Sequence, residues 1–230
     1  SAQAALDAAI AQVGLPAILK TRRFGYDGKG QARIMAAGDA DAAWAAIGGQ
    51  PAILEGFVNF AHEFSVILCR GQDGSIVDWP VPVNLHKGGI LATSTLPPPA
   101  LVRAQAAEAV QLARTVAEKL GHIGVLTAEF FACKDGPRFN EIAPRVHNSG
   151  HWTIEGSATS QFENHVRAVV GLPLRPTALM SSRIEMTNLI GDDVADWPRL
   201  MADPTAHVHL YGKAEARPGR KMGHVTRLGK

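Results

Sequence analysis

At 230 residues, with a formal net charge of +2 and 46% hydrophobic against 19% charged residues, the chain has an ordinary globular composition and room for one large domain or two small ones. So small a charge does not mark a nucleic-acid binder, and no apolar run approaches the roughly 18 to 20 residues of a membrane helix; neither nucleic acid nor membrane is expected as a partner. The start, Ser1-Ala2-Gln3-Ala4-Ala5, lacks an initiator Met and a basic-then-apolar secretory signal, and reads as a processed or incomplete end. Cys69 and Cys133 lie in apolar runs and read as buried free thiols of a cytosolic protein in preference to a disulfide.

In chain order, Ala4 to Val13 is Ala-rich and reads as a helix stopped by Gly14 and Pro16. Ala17 to Lys20 and Gln31 to Met35 read as strands around a glycine loop, and Ala40 to Ile47 as a helix closed by Gly48-Gly49. Strands follow at Ala52 to Glu55, Glu63 to Cys69 and Val77 to Val83, the last two separated by a turn at Gln72-Asp73-Gly74. Lys87 to Pro99, with Gly88-Gly89 and a run of prolines, reads as a loop. Leu101 to Leu120 has clear helical periodicity and ends at Gly121. Two strands flank Lys134-Asp135-Gly136, and Ser160 to Val170 reads as a helix. From about Thr177 the pattern is turn-rich, with short strands near Ser182 to Glu185 and His207 to Tyr211. Intermixed helices and strands place the chain in the α/β or α+β class.

Residues 22–31, Arg22-Arg23-Phe24-Gly25-Tyr26-Asp27-Gly28-Lys29-Gly30-Gln31, join two expected strands. Glycines let backbone N–H groups approach an anion closely, the neighbouring cations add charge, and Lys20 could reach the same phosphates. The loop lacks the Lys-Ser/Thr ending of a Walker loop and does not open a helix as a dinucleotide fingerprint does. A plain hairpin with a long loop is the other reading.

Glu129 and Glu141 lie on the two strands about Lys134-Asp135-Gly136. A three-residue turn pairs Cys133 with Pro137 and sets the two glutamates opposite one another; a two-residue turn puts them on opposite faces. Facing carboxylates repel unless a proton or cation lies between them, and Mg²⁺ is commonly held by one or two carboxylates plus substrate phosphates. If the strand continues, Arg145 shares the face of Glu141. The alternative is a pair of solvated glutamates.

Arg145-Val146-His147-Asn148-Ser149-Gly150-His151-Trp152-Thr153 packs donors and acceptors into a loop after that strand, fit to grip a polar substrate or to form a hydrogen-bonded turn. A zinc site on His147 and His151 has little support without Cys or an HExxH pattern, and Trp152 reads as core. Glu55-Gly56-Phe57-Val58, followed by Glu63, sits where a chain could cross between two lobes. Residues 211–221 form a basic turn that includes Lys213, Arg217, Arg220 and Lys221.

Four passages occur together: KTRRFGYDGKGQ (20–31), EGFV with the later Glu (55–63), NEIAPRVHNSGHWT (140–153) and YGKAEARPGRKMGHV (211–225). In that order they resemble the ATP-grasp enzymes and, more narrowly, the 5-(carboxyamino)imidazole ribonucleotide synthetases of purine biosynthesis. The resemblance implies an ATP-grasp fold of two lobes clasping ATP: a lid at 1–56, a large lobe at 57–176 and a small β-rich C-terminal subdomain at 177–230. It implies that Lys20, Gly25, Tyr26, Asp27, Gly28, Lys29, Gly30 and Gln31 cover the ATP phosphates, and that Glu55, Gly56, Phe57 and Val58 form the hinge against adenine. Glu63 would bind the ribose, His86 would be a further nucleotide contact, and Glu129 and Glu141 would hold Mg²⁺ beside Asn140.

Arg145, His147, Asn148, Ser149 and His151 would line the aminoimidazole ribonucleotide side, with Lys213 and Arg220 on its phosphate. Tyr26, Asp27, Arg145 and Lys213 would be the catalytic groups. The implied reaction is carboxylation of aminoimidazole ribonucleotide by bicarbonate through carboxyphosphate, in a cytoplasmic homodimer. In two respects the chain departs from relatives. Ala143 stands where many ATP-grasp proteins place an Asn metal ligand, and the family's preceding nucleotide-fold domain is not in this sequence. The chain therefore reads as a fragment or as a truncated form, and a truncated form is expected to have very low activity.

Overall fold

The structure, a computed structural model, describes residues 2–23 and 29–229. Its contacts separate two units: one runs to Asn59 and takes in Gly88–Ile90, and the other holds Phe60–Lys87 and the chain from Leu91 on.

In the first unit, alternation of apolar and polar residues builds a small antiparallel sheet in the order β2-β1-β3, from β1 (Ala17–Thr21), β2 (Gln31–Ile34) and β3 (Ala52–Gly56). Ala17, Leu19 and Ile34 are buried on one face. There Leu19 and Ile34 pack with Leu6 of helix α1 (Ala2–Val13) and Ala40 and Ala43 of α2 (Ala40–Ala46). Just before α2 the Asp39 carboxylate accepts the backbone N–H groups of Met35 and Ala36, both at 2.9 Å, and closes the short 3-10 turn Ala37–Asp39 that leads into the helix. By register, Ile18, Lys20, Gln31, Arg33, Ile53 and Glu55 lie on the other face.

The second unit is built on a nine-stranded sheet. Its strands are β4 (His62–Arg70), β5 (Ile76–Asp78), β6 (Val83–Lys87), β7 (Ile90–Leu96), β8 (Gly124–Cys133), β9 (Gly136–Ala143), β10 (Arg183–Ile190), β11 (Ala206–Leu210) and β12 (Lys221–Gly229). The order is β11-β12-β10-β7-β6-β4-β8-β9, with β5 paired to β4. The long helix α3 (Ala100–Lys119) covers one face. Its buried Val102, Ala109, Ala113 and Ala117 recur at helical spacing and meet Phe64, Val66, Leu126, Ala128 and Phe130. Each of those two phenylalanines contributes about 1.5–3 kcal/mol by leaving water. The second core, on the opposite face, gathers Ile67, Cys69, Val125, Trp152, Ile184 and Met186 with Ala168 of α5 (Gln161–Val169). Two short helices, α4 (Thr153–Gly156) and α6 (Trp197–Met201), complete the unit. Cys69 and Cys133 are both buried and free.

Three sequence expectations are corrected. The single strand expected over Val77 to Val83 is two strands, because Pro80 and Pro82 have no N–H to donate and interrupt the ladder. The expected loop Lys87 to Pro99 contains β7: Gly88 and Gly89, both at positive φ, are the turn of a hairpin, and Thr93, Ser94 and Thr95 are strand residues. The C-terminal segment is richer in strand than the sequence suggests. Its eight-residue β10 joins β7, and its nine-residue β12 lies between β10 and β11 in the main sheet.

Candidate functional site

The hairpin β8–β9 turns in two residues, since Cys133 pairs with Gly136. The expected three-residue turn does not form, and the ladder begins in the register that sends Glu129 and Glu141 to opposite faces. A β-bulge between Glu129 and Phe130 then shifts the pairing by one residue, leaving Phe130 opposite Phe139 and Glu129 opposite Glu141. Asn140 is the extra residue of the bulge, and its side chain hydrogen-bonds Glu129. The facing carboxylates arise by a different local route from the one the sequence suggested.

Register places Glu63 and Ser65 of β4, Asn84 and His86 of β6, Glu129 and Glu141 on one face of the sheet. Further along β4 the same face becomes apolar at Ile67 and Cys69, inside the second core. His86 Nδ1 lies 2.8 Å from Glu63 Oε2. Burial opposes the imidazolium, but the Glu63 carboxylate outweighs it and holds His86 above its ordinary value. Between these pairs, the Ser94 hydroxyl donates to Asn84 Oδ1 at 2.8 Å and Asn84 Nδ2 donates to Ser65 Oγ, a buried chain that fixes the floor beside Glu129.

The Glu129 side chain is only 14% exposed. Burial, and then the charge of Glu141, push its carboxyl up to about 7, while His86 and the Asn140 hydrogen bond pull the other way. His147 Nε2 lies 3.5 Å from Glu129 Oε1. Burial, with Arg145 and Lys221 nearby, brings His147 down to about 3, so it is neutral and the contact is no ion pair. The Ser149 N–H donates to His147 Nδ1 at 3.3 Å, which leaves the ring hydrogen on Nε2, toward Glu129.

The loop carrying His147 is pinned from below by Gln161, which is fully buried. Its Oε1 accepts the His147 N–H at 2.9 Å and its Nε2 donates to the His147 carbonyl at 2.7 Å. Gly150 makes this possible: a Cβ there would stand 2.7 Å from Gln161 Oε1 and 2.9 Å from Ile67 Cδ1. Trp152 is buried, as expected of a core residue. Strand β9 stops at Ala143, so Arg145 does not extend the face of Glu141; it is exposed in a bend and donates to the Val146 carbonyl at 3.0 Å. Lys213 and Arg220 lie in the turn between β11 and β12, where Lys213 Nζ donates to the Lys221 carbonyl at 2.6 Å and Arg220 to the Glu215 carbonyl at 3.1 Å.

In the first unit, Lys20 Nζ meets Glu55 Oε2 at 2.7 Å on the open face of the small sheet, with Gln31 opposite Lys20. Lys29 and Gly30 precede β2, and the Gly30 carbonyl accepts the Thr21 N–H at 2.7 Å. Gly56 ends β3, and the Phe57 N–H donates to the Pro16 carbonyl at 3.0 Å, with Val58 next in the chain. Gly25, Tyr26, Asp27 and Gly28 lie outside the described residues.

No group of three or more His, Cys, Asp and Glu side chains able to hold a metal is present among the described residues. Glu129 and Glu141 nevertheless suit a hard divalent cation that takes its remaining ligands from phosphate oxygens: two facing carboxylates, one forced to hold a proton near neutrality, are a site a cation would relieve. Sequence reasoning missed Ser65, Asn84, Ser94 and Gln161. Only the period of their strands, or of α5, marks them as inward-facing polar residues.

Comparison with known proteins agrees with this architecture. Residues 1–162 match the ATP-grasp domain, and residues 185–230 match the phosphoribosylaminoimidazole carboxylase C-terminal domain. The chain belongs to the ATP-grasp family. Within it, the chain is 54% identical to the N5-carboxyaminoimidazole ribonucleotide synthase of Brucella melitensis, over 97% of this chain and 62% of that protein. It is 44% identical to the Escherichia coli synthase of that name, over 94% of this chain and 59% of that one. The solved structure of the Thermus thermophilus synthetase is 46% identical, with a TM-score of 0.86 over 97% of this chain and 60% of that one. The Aspergillus clavatus synthase, solved with ADP and 5-aminoimidazole ribonucleotide, is 31% identical, with a TM-score of 0.91 over 99% of this chain and 61% of that one. The chain thus spans about 60% of the length of these relatives.

Proposed function

We propose that the protein carboxylates 5-aminoimidazole ribonucleotide with bicarbonate at the expense of ATP, giving 5-(carboxyamino)imidazole ribonucleotide, ADP and phosphate. The observation that carries this reading is the facing pair Glu129 and Glu141, in a chain matching both the ATP-grasp domain and the carboxylase C-terminal domain. A bicarbonate oxygen attacks the γ-phosphorus as the bond to ADP breaks, forming carboxyphosphate. The substrate amine then forms its C–N bond to the carboxyl carbon, directly or through released CO₂, as phosphate leaves and the amine loses a proton.

Bound at Glu129 and Glu141, Mg²⁺ would neutralise charge on the phosphate oxygens. Asn140 orients Glu129, and Glu63 takes the ribose hydroxyls with His86 beside it. Lys20, Gly25, Gly28, Lys29, Gly30 and Gln31 attend the phosphates, with Tyr26 and Asp27 as catalytic groups from the same loop. The backbone of Glu55, Gly56, Phe57 and Val58 serves adenine. Arg145 and Lys213 stabilise the anionic intermediate. Neutral His147, with Asn148, Ser149 and His151, lines the aminoimidazole side, and Lys213 and Arg220 face its phosphate. This is positioning and charge neutralisation, which is what phosphoryl transfer asks of a protein.

A cytoplasmic setting is part of the same proposal. No helix of the described residues is long and apolar enough to cross a membrane. A homodimer belongs to the same proposal, and sedimentation of the purified protein tests it. For the reaction, ATP hydrolysis is measured on the protein as its gene encodes it. Turnover that requires both aminoimidazole ribonucleotide and bicarbonate is expected. Equal turnover with glycinamide ribonucleotide and formate would move the assignment to the related transformylase. Calorimetry of this chain with Mg-ATP reads nucleotide binding apart from turnover.

A further inference from the structure

His147 and Lys213, which the proposed function places on the aminoimidazole ribonucleotide, belong to loops far apart in the chain. A continuous series of side chains joins them. Gln161 bonds both the N–H and the carbonyl of His147, and its Nε2 also donates to His151 Nδ1 at 3.1 Å. The His151 ring lies 4.9 Å from that of His224 on β12, measured between centroids. His224 is paired across the ladder with His209 on β11, their rings stacked at 4.5 Å, and His209 Nε2 lies 2.6 Å from Glu155 Oε1 of α4. The Tyr211 hydroxyl is 2.8 Å from His224 Nδ1, and the Lys213 ammonium stands 5.6 Å from the centre of the Tyr211 ring.

Burial sets the protonation of the groups in the series. Burial brings His151 to about 4 and His224 to about 3, so both rings are neutral and can lie close together without repulsion. Burial also pushes the Tyr211 hydroxyl up to about 12, which keeps it protonated and able to donate to His224 Nδ1. All polar atoms of the Gln161 amide are engaged, so Gln161 cannot turn without releasing both His147 and His151.

We propose that Gln161, His151, His224 and Tyr211 form a positioning bridge that fixes the separation between the His147 loop and Lys213, and so holds one length of ribonucleotide between its ring and its phosphate. This inference rests on the function proposed above for its consequence, though not for the existence of the bridge. None of the four residues needs to exchange a proton with substrate.

The test is Tyr211→Phe, which keeps the ring beneath Lys213 and removes one hydrogen bond. Loss of one buried bond predicts a rise of about five- to tenfold in KM for aminoimidazole ribonucleotide, with KM for ATP unchanged. The double variant Tyr211→Phe/His224→Phe is expected to be no worse in KM than the worse single variant, because both break the same link. Amide hydrogen exchange on this chain should quicken in Tyr211→Phe at residues 147–151 as well as at 211–221. An unchanged substrate KM, or faster exchange confined to 211–221, overturns the bridge. Parent protein without turnover that depends on aminoimidazole ribonucleotide overturns the functional reading instead, and the exchange measurement still decides the bridge.

Discussion

Asn148 and Asn188 exchange amide hydrogen bonds, each Nδ2 donating to the other's Oδ1, at 2.9 and 2.7 Å. Asn188 is buried on β10 and also donates to the Leu91 carbonyl at 2.8 Å, so one side chain ties the His147 loop to two strands of the sheet. Asn188→Ala leaves the Asn148 amide and the Leu91 carbonyl without that partner. A loss of about 2 kcal/mol is expected, read as a lower urea midpoint with unchanged slope.

Glu129→Gln and Glu141→Gln should separate stability from activity. Either change removes one of two facing charges, so the protein without ligands is expected to be as stable as the parent or slightly more so. Mg-dependent ATP turnover should fall at least about a hundredfold in each, since each proposed ligand acts on charge that develops in the reaction. Thermal melts and initial rates on the same preparations check both halves. Unchanged turnover in both variants would remove the metal assignment.

Acid should unfold the protein through its buried histidines. His151 and His224 titrate near 4 and 3 when folded, against an ordinary 6.5 when unfolded. Below about 6.5 the unfolded chain takes up protons that the folded chain refuses, so stability falls as pH drops, by at most about 1.4 kcal/mol per pH unit for each histidine. Glu129 has the opposite sign. Its folded carboxyl keeps a proton to about 7, whereas the unfolded one releases it near 4.5, so its cost to stability grows as pH rises through that interval. Urea midpoints across pH 4 to 8, with and without Mg-ATP, should show the acid loss in both series and the Glu129 cost only without ligand.

Gly150→Ala tests the pin beneath the loop. The added methyl would press on Gln161 Oε1 and Ile67 Cδ1, neither of which can move freely in a packed core. A loss of about 2 kcal/mol in stability and a rise in substrate KM are expected, measured by denaturation and steady-state kinetics.

The sequence made α3, α5, the first unit and the hairpin about Lys134-Asp135 legible, because periodicity and glycine stops agree there with the tertiary environment. It misled at β7, where glycines and prolines on both sides outweighed Thr93 and Thr95, β-branched residues that favour strands but carry little hydrophobic signal. It also understated β12, since Gly223 and His224 are poor strand formers in isolation and owe their place to β10 and β11 on either side. Of the site, the ionisable residues were visible as motif. Asn84, Ser65, Ser94 and Asn188 were not, because strand period can mark a lone Asn or Ser as inward-facing but says nothing of its partner until its neighbours across the sheet are known.

The bulge at Asn140 also bears on how this hairpin tolerates insertion and deletion. A turn of three residues with an unbroken ladder sets the same two glutamates face to face as a turn of two residues with a bulge. Removal of Asn140 would close the ladder with Glu129 still opposite a glutamate, at the loss of one orienting side chain. The carboxylate pair is thus buffered against a one-residue change in length, an accident that in an unbulged hairpin would turn one carboxylate away from the site.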